Sequence, residues 1–233
     1  MLNLMKLEWT KNRLYQYWKG VLVSIILIFS AMALMGIGSN GEKEAMFPDY
    51  EAYESLAGIF VRIVFMIYTS VVLSRVMIEE FRNKTIQLLF TYPTERKKIL
   101  RAKLLVVFGF CFVTTATASI VIALLTVGLN PMLEIFPGEV TLRDIAGDIP
   151  GMLLMAFMMG GVSLIPLFFG MRKKSTATTI TSAVLIGFLI NATVSDGSNQ
   201  TSLFQFIGVP VGMCLIGFGI AFLSYRRIEK ADL

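Results

Sequence analysis

Histidine is absent from all 233 residues, and with it go Ser-His and Cys-His nucleophilic sites and most zinc sites. No Gly-x-x-x-x-Gly-Lys-Ser/Thr loop occurs, nor any Gly-Lys dipeptide, so the chain has no phosphate-cradling loop of its own. Any ATP it uses must be bound by another subunit. Cysteine occurs twice, at Cys111 and Cys214, each inside an apolar run, which predicts small packing residues rather than a disulfide framework. Charge is scarce as well. Only 16% of residues are charged, against about 25% in soluble proteins. In their place 55% are hydrophobic, and a mean hydropathy of +0.71 is too apolar for a soluble domain. The net charge of +5 is no nucleic-acid signature, because the basic residues lie between or beside the apolar runs.

Six of those runs are long enough to cross a bilayer as helices, at about residues 20–38, 55–74, 104–129, 149–170, 176–194 and 203–224. Residues 1–19 read as an amphipathic helix on the membrane surface. Leu4, Leu7, Leu14 and Trp18 recur at near-helical spacing among Lys6, Lys11, Arg13 and Lys19. A cleaved signal is the rival reading of the first run, since Ala31-Met32-Ala33 has the A-x-A form. Pro166 is expected to kink the fourth run. The stretch before that run, 140–150, reads as a short interfacial helix with Leu142 and Ile145 on one face, and 195–202 as a polar loop.

Charge orients the runs. The first 19 residues, the 75–103 stretch, the 171–175 turn and the C-terminal tail together carry 18 of the 21 basic residues. The alternate segments, 39–54 and 130–148, are acidic. The positive-inside rule then makes both termini and the 75–103 stretch cytoplasmic, in the cell membrane.

That stretch, RVMIEEFRNKTIQLLFTYPTERKKILRAK, holds eight basic residues. Ile86, Leu89 and Phe90 fall at i, i+3 and i+4, predicting an amphipathic helix over 83–91. Pro93 cannot continue it, and Thr94 can cap a new helix that runs into the third span. A short amphipathic helix between two spans suits docking of a soluble partner.

Glu79-Glu80, Lys84-Thr85, Leu88-Leu89, Pro93, Arg96 and Lys103 resemble the loop of bacterial ABC-2 type transporter permeases. There a run like E-E-x-x-x-G-T-x-x-x-L-L, a Pro, a basic residue and a Lys forms a coupling helix that contacts the ATPase subunit. Lys84 stands where that pattern has Gly. The resemblance implies one transmembrane domain over 1–233: an all-α membrane protein with six transmembrane helices, an N-terminal elbow helix and a cytoplasmic coupling helix. ATPase coupling would fall to Glu79, Glu80, Thr85, Ile86, Leu88, Leu89, Phe90, Pro93, Arg96 and Lys103. Two permeases, the same or related, would work with two P-loop ATPase subunits that bind ATP and Mg. Members of the family export bacteriocins, bacitracin and amphipathic peptides.

Four features remain open between two readings. Arg62, the only charge inside a run, faces a substrate path or pairs with a loop carboxylate, or else snorkels to headgroups. Gly208 with Gly212, and Ala183 with Gly187, permit close helix contact within one subunit or between two. The methionines of 152–159 line a path or cover a helix surface. Glu79 and Glu80 point about 100° apart on a helix, which suits salt bridges with Arg82, Lys84 or a basic ATPase surface better than catalysis. A secondary transporter driven by an ion gradient is the alternative function. It would need an intramembrane acid, and no Asp or Glu falls within the six runs.

Overall fold

The computed structural model describes residues 2–39, 47–82, 96–133, 135–137, 140–196, 199–202 and 208–229. Helices dominate. The first, α1 (Leu2–Lys11), ends where Arg13 adopts the left-handed conformation (φ 48°) and a single 3-10 turn, Leu14–Gln16, leads into α2 (Tyr17–Ser39). That break resets the helical phase, so the even spacing of Leu4, Leu7, Leu14 and Trp18 does not become one face. Leu14 is fully buried while Leu7 is exposed, and α1 packs instead through Met5, Glu8 and Trp9.

The next helix, α3 (Tyr50–Leu73), continues through a π turn at Ser74–Ile78 into α4 (Glu79–Arg82). Helix α5 (Arg96–Leu133) is 38 residues long. Buried Asn130 near its end accepts from the backbone N–H of Ile135 (3.1 Å) and Phe136 (3.3 Å), which pins the following turn. Gly36 on α2 leaves room for that turn, since a Cβ there would press on the Ile135 backbone.

Helix α6 (Leu142–Val162) runs without interruption from the acidic segment into the apolar run. Asp144 Oδ2 accepts from Thr141 N (3.0 Å) and Thr141 Oγ1 (2.7 Å) at its start. Nothing stops the helix before residue 163, so a separate interfacial helix over 140–150 does not form. Leu142 is exposed and Ile145 is buried. At the kink expected at Pro166, residues 163–165 form a tight turn with near-helical dihedrals, and Pro166 opens α7 (Pro166–Lys173) at its first position, where a missing N–H costs nothing. Lys174, left-handed at φ 48°, ends α7, and the Ser175 hydroxyl caps α8 (Thr176–Ile190). The stretch read as a polar loop at 195–202 holds most of a two-stranded antiparallel hairpin, β1 (Thr193–Asp196) and β2 (Asn199–Ser202). Helix α9 (Gly208–Glu229) is the last described element.

Among the described residues, four helical stretches are long and apolar enough to cross a membrane: Leu14–Gly38, Tyr50–Ile78, Lys98–Leu133 and Leu142–Lys173. Two further apolar helices, Thr176–Ile190 and Gly208–Leu223, are shorter. The fifth run shortens because Asn191 ends α8 and the hairpin takes over residues counted as span. At 1.5 Å per residue, its 15 residues fall short of a core of about 30 Å.

In the bundle α3 packs between α5 and α8, α5 between α3 and α6, and α6 between α5 and α9, with α1 and α2 against α5. One close crossing sets glycine on glycine. A Cβ added to Gly217 on α9 would land on the Gly161 carbonyl oxygen of α6, and one on Gly161 would strike the Cys214 sulfur.

Candidate functional site

Among the described residues, two clusters of charged side chains lie towards opposite ends of the α3–α4 rod. The first joins three helices. Lys103, in the first turns of α5, is 1% exposed and its Nζ donates to Glu80 Oε1 (2.8 Å), Glu8 Oε2 (2.9 Å) and the Val76 carbonyl (3.2 Å). An ammonium has three donors, and all three are used. Lys11 Nζ adds a second ion pair to Glu80 Oε1 at 2.8 Å, and Asn12 Nδ2 donates to Glu8 Oε2 at 3.2 Å. Two carboxylates and two ammoniums cancel, as burial of charge requires.

The π turn sets this geometry. It spends an extra residue on one turn, which rotates everything beyond it by about one position, or ~100°. Glu80 is thereby aimed into the bundle against Lys103 and Lys11, not at Arg82. At 8% exposure it offers little to an outside surface. Glu79 is half-buried, and Arg82, Lys98 and Arg101 are exposed. Arg75 turns back to the start of α2, donating from Nη1 to Tyr17 Oη (2.9 Å). Thr85, Ile86, Leu88, Leu89, Phe90 and Pro93, with Lys84, lie outside the described residues. Arg96 opens α5.

Glu8 and Lys11 were missed in the sequence. One signal was available: Glu8 is the only acid in the first 41 residues, one helical turn from Lys11. An isolated carboxylate on a basic surface helix is a candidate partner for a lysine that must be buried.

The second cluster surrounds a cavity of about 430 Å³ between the N-terminal parts of α3 and α6 and the later part of α5. Arg62 lines it, with its Nε donating to Asn191 Oδ1 at 2.9 Å. Asn191 is itself held at the end of α8, its Nδ2 donating to the Gly187 carbonyl at 2.8 Å. Gly58, one turn before Arg62, leaves space for the guanidinium, since a Cβ there would lie 3.1 Å from Nη1. Glu51, Glu54 and Asp148 also line the cavity. The helices begin earlier than the apolar runs, so these acids fall on helices rather than in loops.

Met152 and Met155 reach the same cavity, whereas Met158 and Met159 are buried in the bundle. Ala183 is buried, and a Cβ on Gly187 would meet Met66 and Ile63 of α3, so that pair faces a helix of the same chain. Gly208 and Gly212 face open space instead. Cys111 and Cys214 are both buried as free thiols.

Comparison with known proteins converges on one family. The profile described as ABC-2 family transporter protein matches residues 4–191. That range contains the Glu8–Lys11–Glu80–Lys103 network and the Arg62–Asn191 pair. An uncharacterized protein of Bacillus subtilis (strain 168), YcbO, is 33% identical over 231 residues, covering 99% of this chain and 100% of its own. No solved structure matches. With its long apolar helices and a family match over most of its length, the chain is a multi-pass membrane protein that belongs to the ABC-2 family of transporter proteins.

Proposed function

We propose that the chain is the membrane-spanning permease subunit of an ATP-driven exporter, and that an amphipathic or hydrophobic molecule such as a peptide toxin or antibiotic is its cargo. In this reading it has six spans, with α8 and α9 as the short fifth and sixth. Both termini are cytoplasmic and α1 is an elbow helix at the membrane surface. Two copies, or this chain and a related one, work with P-loop ATPase subunits that supply bound ATP and Mg. Residues 83–91 form the amphipathic helix on which the ATPase docks.

The observation that carries this reading is the buried Lys103–Glu80 pair in a chain of this family. It ties the two helix ends flanking 83–95 to each other, and Glu8 and Lys11 tie both to α1. A push on the docking segment would therefore reach α3, α5 and α1 as one unit. In this reading Glu80 and Lys103 act as positioning groups, while Glu79, Thr85, Ile86, Leu88, Leu89, Phe90, Pro93 and Arg96 remain the proposed ATPase contacts.

A gradient-driven carrier gains one point of support from Glu54 and Asp148, which lie on helices and line a cavity. Their place near the helix N-termini rather than mid-span favours the ATP-driven reading. The test is coexpression with a candidate P-loop ATPase, sought first among the genes beside this one. Wild-type chain should copurify with it and stimulate ATP hydrolysis. Leu89→Glu should insert normally but lose both, because a charge would enter a desolvated contact. Docking and hydrolysis that survive Leu89→Glu would overturn the coupling role. Transport that persists without any ATPase and stops with an ionophore would favour the carrier.

A further inference from the structure

The cavity beside Arg62 exists because one wall lacks side chains. Gly147 and Gly151 lie one turn apart on α6, both line it, and a Cβ at either would meet nothing within 4 Å. Among the described residues, three carboxylates, Glu51, Glu54 and Asp148, line this space together with one cation, Arg62, whose Nε donates to Asn191. The Tyr50 hydroxyl, at the same rim, is buried and makes no hydrogen bond among the described residues. Deeper in, the lining is apolar: Val61, Ile122, Met152 and Met155.

We propose that this cavity binds an organic cation, a primary ammonium carried on an apolar body. The excess of carboxylates disfavours anions. A metal ion fits poorly, because among the described residues no three acidic, His or Cys groups are arranged to hold one. A volume of about 430 Å³ lies inside the range of about 300–1,000 Å³ typical of small-ligand pockets. That is room for one amphiphile or the end of a larger one. The ammonium would sit at the rim, where Glu54, Asp148 and Tyr50 Oη supply acceptors. The apolar body would lie against Met152 and Met155, whose unbranched thioethers adapt to varied shapes. As a cargo site it rests on the export reading, whereas the binding itself does not. The same chemistry is offered by a free amphiphile and by the ethanolamine headgroup of a lipid.

The test uses the full chain in phosphatidylcholine nanodiscs and calorimetry with three probes of one shape: phenylbutylammonium, phenylbutyrate and phenylbutanol. The ammonium should bind saturably, the alcohol more weakly, and the carboxylate not at all. Glu54→Gln with Asp148→Asn should weaken the ammonium by about tenfold or more. Gly151→Leu should do the same by filling the space, and it raises helix propensity, so loss of fold is not the expected cause. Equal binding of all three probes, or affinity unchanged in both variants, would overturn the site. If phosphatidylethanolamine in the disc competes with the probe, the site is occupied by lipid; if it does not, it serves a free amphiphile. Binding that persists in a chain that docks no ATPase would sink the export reading alone, and docking without binding would sink this one alone.

Discussion

Lys103 and Glu80 form a buried ion pair, Nζ to Oε1 2.8 Å, although 23 positions separate them in sequence. Charges removed from water at this depth are tolerable only while every partner is present. Lys103→Met would take the ammonium from between the Glu8 and Glu80 carboxylates, leaving Asn12 on the one and Lys11 on the other, and would leave the Val76 carbonyl without its Lys103 donor. The expected loss is about 3–5 kcal/mol of stability, read as a large fall in the thermal midpoint of the purified chain. Adding Glu80→Gln to that variant should recover part of the loss, since one of the two carboxylates that faced the missing ammonium is neutralised. Additive losses in the double variant would show that the pair is not energetically coupled.

Gly217 and Gly161 let α9 and α6 meet backbone to backbone. Gly217→Ala places a methyl on the Gly161 carbonyl, which cannot give way as a side-chain tip can. Overpacking of this kind costs about 1–3 kcal/mol, against the gain of about 0.5–1 kcal/mol that Gly→Ala usually brings to a helix. Gly208→Ala and Gly212→Ala meet nothing and should leave the monomer as stable or slightly more so. If Gly208 and Gly212 contact a second subunit, Gly212→Leu should lower cross-linked dimer yield without lowering the thermal midpoint. Equal stability of Gly217→Ala and Gly212→Ala would contradict the close crossing.

The helices were legible because uncharged runs of about 20 residues have few other destinations. Their ends were not. α3 and α6 start within the acidic segments, where Glu51 sits in the first turn of α3 and Asp144 closes a capping box with Thr141 at the start of α6. α8 stops early because Asn191 ends it. The Glu80 and Lys103 positions were visible through their spacing in a family pattern. Their pairing was not, because the π turn at Ser74–Ile78 shifts the phase by a residue that no periodicity count includes. Arg62 stood out as a lone charge. Its partner Asn191, 129 positions away, carries no sequence signal at all.

The topology proposed from charge is checked by labelling. In a variant lacking Cys111 and Cys214, single cysteines at positions 45 and 140 should react with a membrane-impermeant maleimide applied to intact cells. Cysteines at 98 and 173 should react only after lysis. External labelling at 98 would reverse the orientation, and the docking role of 83–91 would fall with it. It would also turn the Arg62 cavity toward the cytoplasm.

Arg62 gives the most discriminating substitution. A cation in a helix centre costs about 2.5–3.5 kcal/mol on insertion scales, and snorkelling would offset much of that. Pure snorkelling, however, leaves the head group in water or among headgroups. Here Nε is committed to Asn191, and the guanidinium lies over Gly58 inside a cavity wall. Arg62→Leu should therefore abolish cargo export while protein level and ATPase docking stay near normal. Arg62→Lys should rescue only partly, because an ammonium cannot reproduce the fork that meets Asn191 through one edge and the cavity through the other. Asn191→Leu should weaken export in the same direction, since it removes the acceptor of the Arg62 Nε–H without removing the charge. Normal export by Arg62→Leu at wild-type protein levels would reduce this residue to a snorkelling side chain. Normal export by Asn191→Leu alone would leave the charge important and its anchoring not.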